Sequence, residues 1–503
     1  MGSRLLAALV AMLAIPSAGA AQDVTLTARD GSLSVDGTLR AYDGEVYRID
    51  SAFGPLTLDG QAVVCTGPGC PDLTAPFTEI RIVGAADPGA VLIGPLVRAF
   101  AAAQGLEVAA EGEALALSSP ADGRAVGRIG FRAMPPAAAR AALAAGEADL
   151  ALASRAEPDF GERTVALDAM VPVTAPGNPL PRIATPDLAR VLAGEVANWS
   201  AIGGPDMPLV LHGLDPGTGL QEALAARLGA TATATVRHPD AAALARAVAA
   251  DPYALAVTAA SAAGPARVLP LTDSCGFPLD PGRAALKAGD YPLALPVFLL
   301  TPRRRLPLLA RDFVDFTRSP SAQAAVAAAG LADRAAERAP LTADGTRLLS
   351  ALRGAGEETT LRDLQRLAAA MTGSDRLSLT FRFEDGSATL DAPSQDNLSD
   401  LARLYAAGAF RGQALVLAGF SDGTGSAAGN LALSRARAEG VAAALAQAAT
   451  DLPADAAPPV VEAFGETLPM ACDTTTGGRR LNRRVEVWLR PAPAGPSAAT
   501  DTP

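Results

Sequence analysis

The stretch from Gly419 to Arg437 constrains the fold of this chain more than any other. It reads GFSDGTGSAAGNLALSRAR, it follows an apolar run, and a helical pattern begins in it at about Asn430. The pattern predicts a strand, a loop and a helix, with Asp422 in the loop and Arg437 about two turns into the helix. A carboxylate and a guanidinium on one side would suit a zwitterion that carries an ammonium and a carboxylate on one carbon, because Arg pairs bidentately with carboxylates.

The same stretch is part of a longer pattern that resembles the OmpA-like peptidoglycan-binding family over residues 376–491. The shared phrases are GFSD at 419–422, GS at 425–426, FGE at 464–466 and NRRVEV at 482–487. The resemblance implies an α+β sandwich of βαβαβ order that binds the diaminopimelate of the peptidoglycan stem peptide. Its site residues would be Asp422, Thr424, Asn430 and Arg437. Of these, Asp422 and Arg437 would hold the diaminopimelate. The alternative is that Asp422 caps the helix and Arg437 is a solvated charge.

The length and the net charge of the chain limit the number of domains and the kinds of partner. The chain has 503 residues, 49% of them hydrophobic, which is enough for about three domains with separate cores. Its formal net charge is −11 and it has no stripe of Lys and Arg, which argues against a nucleic-acid partner. Any bound anion must therefore be held by local donors.

The first residues predict export. Residues 1–21 contain a single Arg, an apolar segment from Leu5 to Ile15, then Pro16 and small residues, as in a cleaved signal peptide. The segment is too short to span a membrane, and no Cys follows the cleavage region to carry a lipid anchor. We therefore expect a periplasmic protein that does not span the membrane and is associated with the cell wall through Asp422 and Arg437.

The four cysteines favour disulfides in an exported chain. Cys65 and Cys70 lie in CTGPGC, close enough around the Gly-Pro-Gly turn to close a small loop. Cys275 and Cys472 would then have to meet between domains. Two buried or free thiols would explain this second pair equally well.

The patterning predicts a multi-domain chain of α/β and α+β class. Residues 22–78 alternate apolar and polar side chains in short runs, which predicts a small β domain. Strands alternate with helices over residues 79–335, which predicts an α/β domain of two lobes. Residues 336–375 predict a helical linker or an extension of the C-terminal domain, and residues 492–503 predict a disordered tail.

Phrases within residues 79–335 resemble the PstS-like, phosphate-type substrate-binding proteins of ABC transporters. They are IRIVGAADPG at 80–89, GEADLALASR at 146–155, LDPGTG at 214–219 and FVDFTRSPSAQAAVAAAGL at 313–331. The resemblance implies the type II periplasmic-binding-protein fold, with a small oxyanion such as phosphate held by hydroxyls and by N–H groups at helix N-termini. It also implies an ABC permease as a further partner.

This second resemblance assigns six residues to an oxyanion site, namely Ser154, Arg155, Asp215, Gly217, Thr218 and Gly219. The chain departs from the family at Ala85–Pro88, where hydroxyls are expected, and at Leu220, which replaces a hydroxyl. Each missing charged hydrogen bond is worth about 1.5–3 kcal/mol, so we expect weakened phosphate binding. Asp215 could pair with Arg155 or accept a proton from the anion. Alternatively, Ser154 and Thr218 only cap helices. Arg155 would then be a surface charge.

These sequence features are compatible with three functions. The favoured one is a non-enzymatic binding protein, an oxyanion-binding module held on peptidoglycan. The alternative is a cell-wall scaffold whose solute-binding domain has lost its ligand and binds a protein partner. A hydrolase would need a nucleophile with a base, or a metal cluster. The chain offers only His212 and His238, in unrelated contexts, so we predict no catalytic residues, no metal and no cofactor.

Overall fold

The computed structural model of the chain describes residues 24–42, 46–67, 69–70, 77–228, 231–304, 306–353, 358–384, 387–450, 452–453 and 456–491. The predicted signal peptide at residues 1–21 and the predicted tail at residues 492–503 lie outside the described residues. The described residues form an N-terminal sheet, a two-lobed central domain and a C-terminal domain.

A small antiparallel sheet forms the N-terminal unit. Its strands, in the order β4-β3-β2-β1-β5, are β1 (Val24–Ala28), β2 (Ser34–Tyr42), β3 (Val46–Ser51), β4 (Gly54–Asp59) and β5 (Val63–Thr66). The alternation of side chains buries Leu26, Tyr47 and Ile49 on one face. A disulfide joins Cys65 to Cys70, whose Cα atoms are 5.8 Å apart, so the predicted small loop is closed.

The central domain alternates strands and helices. Its strands are β6 (Thr78–Gly84), β7 (Glu107–Glu111), β8 (Ala114–Ser118), β9 (Ala125–Ala133), β10 (Leu150–Ala153), β11 (Gly161–Thr174), β12 (Ile183–Ala184), β13 (Val210–Leu214), β14 (Val236–His238), β15 (Ala254–Ala259), β16 (Arg267–Val268), β17 (Leu271–Thr272), β18 (Pro278–Leu279) and β19 (Ala294–Thr301). Its helices are α1 (Ala86–Ala103), α2 (Pro136–Ala145), α3 (Thr185–Leu192), α4 (Gly219–Leu228), α5 (Ala241–Ala250), α6 (Arg283–Lys287), α7 (Leu308–Phe316) and α8 (Pro320–Ala328).

One long strand, β11, connects the two lobes of this domain. β11 pairs with β19 over residues 161–169 and with β15 over residues 170–174, so it runs from the first lobe into the second. The main sheet has the order β14-β13-β15-β11-β19-β10-β6-β9-β8-β7. The first lobe therefore holds β6–β10, the second holds β13–β15, and the cleft lies between them.

Each lobe has its own hydrophobic core. In the described part of the chain, α1 is the one helix long and apolar enough to cross a membrane, but its Leu92, Leu96 and Phe100 are buried in the core of the first lobe. The second lobe packs α3, α4 and α5 around Trp199. These cores make each lobe a rigid support for the loops that face the cleft.

The C-terminal domain is a sheet with helices on both faces. Its strands are β20 (Arg338–Pro340), β21 (Asp375–Arg382), β22 (Gln413–Phe420), β23 (Val460–Ala463) and β24 (Arg484–Pro491). Its helices are α9 (Gly345–Arg353), α10 (Leu361–Met371), α11 (Ala392–Ala406), α12 (Ala427–Ala448) and α13 (Thr476–Asn482). The strand order is β20-β21-β24-β22-β23.

The two faces of this sheet are covered by different helices. α11 and α12 pack on one face through Leu401 and Val441, and α10 packs on the other through Leu364 and Leu367. Residues 336–375, for which we expected a linker or an extension, supply β20, α9 and α10 to this packing. The predicted fold class, with its two-lobed α/β domain and C-terminal α+β sandwich, is confirmed.

The second lobe is bonded to the C-terminal domain in two places. A disulfide joins Cys275 to Cys472. The Asp290 carboxylate accepts hydrogen bonds from Arg376 Nη1 at 2.7 Å and from Arg382 Nη2 at 3.1 Å. Burial raises the pKa of Asp290, but the two guanidinium groups outweigh it, so the pKa lies below its ordinary value and Asp290 is ionised.

The first lobe meets the C-terminal domain along α11. The Thr164 N–H donates to Asp396 Oδ2 at 2.6 Å, and Ala392 packs against a core of the first lobe. The C-terminal domain thus contacts both lobes and restrains their movement relative to each other.

Candidate functional sites

The C-terminal site lies where β22 meets α12. α12 begins at Ala427 rather than at about Asn430, so Arg437 lies ten residues (437 − 427), almost three turns, into the helix instead of about two. The N-cap of α12 is Ser426, whose hydroxyl accepts a backbone N–H at 3.2 Å. Asp422 is therefore not the cap, and its side chain is left for another role.

A glycine lets the strand and the helix share this site. A Cβ atom on Gly419 would lie 2.0 Å from the carbonyl oxygen of Ser434, so only glycine fits this close approach of β22 to α12. The hydroxyl of Ser434 also accepts from the Gly465 N–H at 3.0 Å, which ties α12 to the loop after β23. These contacts bring Asp422 and Arg437 to the same side.

Asp422 is an ionised carboxylate with two donors. Its Oδ2 accepts from Arg483 Nη1 at 3.0 Å, and its Oδ1 accepts from the Thr424 N–H at 3.1 Å. Burial raises the pKa of Asp422, but the Arg483 and Thr424 hydrogen bonds outweigh it, so the pKa lies below its ordinary value. At neutral pH this carboxylate can accept an ammonium group.

Arg437 places a half-buried cation near Asp422. Its Nη1 atom is buried and has no hydrogen-bond partner among the described residues. Its Cζ lies 5.5 Å from the centroid of the Phe383 ring, which supports the guanidinium. Burial, followed by Arg483, lowers the pKa of Arg437 and Asp422 raises it, but a guanidinium stays charged in proteins. The Ser421 hydroxyl is likewise buried without a partner in the described part of the chain.

The other predicted residues of this site have supporting positions. Thr424 contributes its backbone N–H to Asp422. Asn430 is buried and donates to Glu466 Oε2 at 2.5 Å, so it holds the loop after β23. Sequence reasoning missed Arg483 and Ser421. Both lie in shared phrases, NRRVEV and GFSD, and the place of these phrases at strand ends is the signal that could have found them.

The central site forms at the start of α4, where three segments meet. A Cβ atom on Gly219 would lie 2.9 Å from Ser154 Oγ and 3.2 Å from the Cβ of Ala85. Thr218 Oγ1 is buried and has no partner among the residues described, so the hydroxyl does not cap the helix. Gly217 has a φ of 82°, which lets the chain turn into α4. The Ser154 hydroxyl therefore lies beside the start of α4, and Thr218 precedes that start in the chain.

The arginine of the central site is neutralised by carboxylates. Arg155 Nε lies 3.0 Å from Glu157 Oε1 and 3.6 Å from Glu222 Oε2. Arg140 Nη1 lies 3.0 Å and 3.1 Å from the same two carboxylates. The carboxylates that pair with Arg155 are thus Glu157 and Glu222 rather than Asp215, which is exposed. Two cations and two anions leave no net charge for a ligand.

The loop that departs from the family brings a carboxyl group to the cleft. Asp87, in the first turn of α1, lies near Asp240 and near the Ala241 N–H at the start of α5. Burial, followed by the charge of Asp240, raises the pKa of Asp87, and the Ala241 N–H opposes this. The two lobes therefore approach each other here with a carboxyl group in place of the hydroxyls expected.

The two histidines are partners, which corrects the expectation of unrelated contexts. His212 on β13 and His238 on β14 face the same side of adjacent parallel strands, with His212 Nδ1 3.1 Å from His238 Nε2. His212 Nε2 lies 3.3 Å from Asp251 Oδ2. Burial, followed by His238, lowers the pKa of His212, and Asp251 raises it. No group of three His, Cys, Asp or Glu side chains suited to a metal occurs among the described residues.

Two family models match the chain. Residues 129–321 match a PBP superfamily domain, and residues 382–483 match the OmpA family. The two kinds of domain expected from the sequence are confirmed by these matches.

Solved structures are similar to about half of the chain. An ABC-type phosphate transport receptor from Vibrio cholerae is 17% identical, with 50% of this chain and 98% of that chain covered and a TM-score of 0.41. PstS from Borrelia burgdorferi is 16% identical, with 51% of this chain and 98% of that chain covered and a TM-score of 0.36. The effector binding domain of QuiR in complex with shikimate is 16% identical, with 48% of this chain and 94% of that chain covered and a TM-score of 0.32. Similarity this low does not identify a ligand. No curated protein matches the sequence.

Proposed function

We propose that this chain, which joins a PBP superfamily domain to an OmpA family domain, is an exported and non-enzymatic binding protein of the periplasm. Its C-terminal domain holds it non-covalently on peptidoglycan by binding the diaminopimelate of the stem peptide. Its central domain binds a small oxyanion such as phosphate. An ABC permease is the class of partner to which such a module would deliver its ligand.

The observation that carries the peptidoglycan part is the pair of buried polar atoms near Asp422. Within the described ranges, Arg437 Nη1 and Ser421 Oγ have no hydrogen-bond partner. A buried polar group left without a partner costs about 1–3 kcal/mol, so a ligand that completes both is favoured. The free end of diaminopimelate carries an ammonium and a carboxylate on one carbon. Its carboxylate would accept from Arg437, and its ammonium would donate to Asp422.

The test compares two muropeptides that differ only at this free end. Isothermal titration of the full-length protein should give an affinity about 10–100-fold higher for a diaminopimelate muropeptide than for its lysine counterpart, which lacks the second carboxylate. Asp422→Asn should lower the diaminopimelate affinity by a similar factor. Arg435→Leu, an exposed arginine on the same helix, should leave it unchanged. Equal affinity for the two muropeptides would remove the proposal.

The oxyanion part is supported by the hydroxyls at the start of α4. Ser154 Oγ lies beside Gly219, Thr218 Oγ1 is buried without a partner among the described residues, and the first N–H groups of α4 can donate to an anion. We expect weak binding because Arg155 and Arg140 are already neutralised by Glu157 and Glu222. Thermal unfolding with phosphate and sulfate tests this part, since a ligand at a hundred times its Kd adds about 2.7 kcal/mol of stability.

A second candidate is a cell-wall scaffold whose central domain has lost its solute and binds a protein partner. The neutralised arginines and the carboxyl group of Asp87 in place of hydroxyls favour it. No change in unfolding temperature with either oxyanion, alongside intact muropeptide binding, would support the scaffold. A rise in the unfolding temperature that saturates with phosphate would rule out the scaffold.

A further inference from the structure

A cavity of about 560 Å³ lies between the central domain and the C-terminal domain. One part of its lining includes Ser154 and Arg155 of the central site. From there the lining follows α4 to Arg227, which is eight residues beyond Gly219 and therefore about 12 Å further along the helix axis. The far part of the cavity is thus separate from the central site.

Both domains contribute to the far part. The central domain supplies Arg227 from the end of α4, and the C-terminal domain supplies Arg480 from α13 and Asp391 from the N-cap of α11. This part of the cavity exists only because the two domains are packed together in one chain.

Arg227 is the cation of this cavity that lacks a carboxylate. Arg480 Nη2 lies 3.5 Å from Asp391 Oδ2, and Arg382 Nη2 lies 3.1 Å from Asp290 Oδ1. No carboxylate of the described residues lies within 4.0 Å of the Arg227 guanidinium, whose Nη2 donates only a long hydrogen bond of 3.4 Å, to the Ala294 carbonyl.

The surroundings of Arg227 leave its guanidinium available to an anion. Its side chain is exposed to solvent and lines the cavity. Burial, followed by the charge of Arg480, lowers the pKa of Arg227 to about 10, with Asp391 opposing. The guanidinium is still charged at neutral pH, so it can form charge-assisted hydrogen bonds to an anion. Glu384 also lines the cavity, and burial together with nearby charges that include Glu384 raises the pKa of Glu162. The carboxylate that raises the pKa of Arg227 is Asp391.

The remaining wall is mainly apolar. Leucines from both domains line it, namely Leu188, Leu192, Leu224, Leu286 and Leu481. The other cations of the lining are paired with carboxylates, so the cavity offers, within the described part of the chain, one unpaired cation beside mainly apolar walls. Cavities of this size with few polar groups are typical of sites for small organic molecules.

We propose that this interdomain cavity binds a small amphipathic monoanion, a carboxylate with an apolar body. The carboxylate pairs with the Arg227 guanidinium, and the body packs against the leucines. The site is distinct from the oxyanion site at Ser154 and Thr218, and it does not depend on that site or on peptidoglycan binding.

Isothermal titration of the full-length protein tests the proposal. Octanoate and 4-phenylbutyrate represent alkyl and aryl carboxylates, and octanamide is the neutral match of octanoate. We expect saturable binding of at least one carboxylate at one equivalent and binding of octanamide at least about ten times weaker, since a charge-assisted hydrogen bond is lost. Equal binding of octanoate and octanamide, or no saturable binding of either carboxylate, would overturn the proposal.

Variants locate the site. Arg227→Leu should lower the carboxylate affinity about 10–100-fold, and Arg227→Lys, which keeps the charge, should lose less. Arg246→Leu removes an exposed arginine from the neighbouring helix α5 and should change nothing. An equal loss in Arg246→Leu would place the anion elsewhere. Thermal unfolding checks that Arg227→Leu is folded. The carboxylate titration contains no muropeptide, so failure of this proposal is distinguishable from failure of muropeptide binding.

Discussion

The C-terminal pocket and the central pocket contain the same kinds of groups but differ in how their charges are paired. In the C-terminal pocket, Arg437 Nη1 and Ser421 Oγ are buried without partners within the described part of the chain. In the central pocket, the Arg155 guanidinium is paired with Glu157 and Glu222, and Thr218 Oγ1 is the group left without a partner. A charge that the fold leaves unsatisfied is available to a ligand, whereas a charge paired within the protein mainly stabilises the fold.

The largest change in affinity is expected when Arg437 is replaced. Arg437→Leu should lower the affinity for a diaminopimelate muropeptide about 10–100-fold, because a charge-assisted contact is lost. It should not lower the unfolding temperature, because the half-buried side chain has one buried nitrogen without a partner in the described part of the chain, and its removal relieves that cost. Titration and circular dichroism measure the two quantities. Loss of stability without loss of affinity would contradict the comparison.

A smaller effect of opposite sign is expected in the central pocket. Glu222→Gln leaves Arg140 and Arg155 with one carboxylate, Glu157, so the pocket gains a net positive charge. The affinity for phosphate should rise about tenfold, measured by titration at low ionic strength. Glu113→Gln changes the net charge equally at an exposed position in the turn between β7 and β8. An equal rise in this control would assign the effect to overall charge.

Arg155→Leu should have a modest effect on stability. The side chain is 46% exposed, so its ion pairs are screened, and their loss should cost about 0.5–1 kcal/mol of unfolding free energy. Phosphate affinity should change by less than about threefold, because the guanidinium is engaged by glutamates before a ligand arrives. Denaturant unfolding and phosphate titration give the two values. A tenfold loss of phosphate affinity would show that Arg155 binds the anion directly.

The smallest effect concerns pH. The folded-state pKa of Asp422 lies below its ordinary value, so its carboxylate stays ionised between pH 7 and pH 5. Muropeptide affinity should be unchanged over that range and should fall only as the pH drops below about 4, and the contribution of Asp422 to stability should be lost in the same window. Titrations at pH 7, 5 and 3.5 test this. A tenfold loss already at pH 5 would mean that Asp422 is not the ammonium acceptor.

The parts of both pockets that lie close together in the chain could be predicted from the sequence. Asp422 and Arg437 are joined by one loop and one helix, so their shared side follows from local patterning. The strand ends and hydroxyls at Ser154 and Thr218 also follow from local phrases. The alternation of strands and helices likewise sufficed for the two-lobed domain, because periodicity reports burial directly.

The pairing of charges could not be predicted. Arg483 reaches Asp422 across 61 residues, and that contact depends on where β24 lies in the sheet. Glu222 meets Arg155 only because α4 packs beside the end of β10, and nothing in the local sequence encodes this. His212 and His238, 26 residues apart, are brought together by the register of two parallel strands. Long-range register decides which charges remain available.

The disulfide between Cys275 and Cys472 has a mechanical consequence. The residue after Cys472, Asp473, accepts a hydrogen bond from the Gly423 N–H at 2.7 Å, next to Asp422 in the C-terminal pocket. A force on a stem peptide bound at the C-terminal pocket would therefore be transmitted to the second lobe through this disulfide and a short loop, rather than through a flexible linker. If the C-terminal pocket binds peptidoglycan as proposed, the cleft would keep one orientation relative to the cell wall, and solutes would have to diffuse to it.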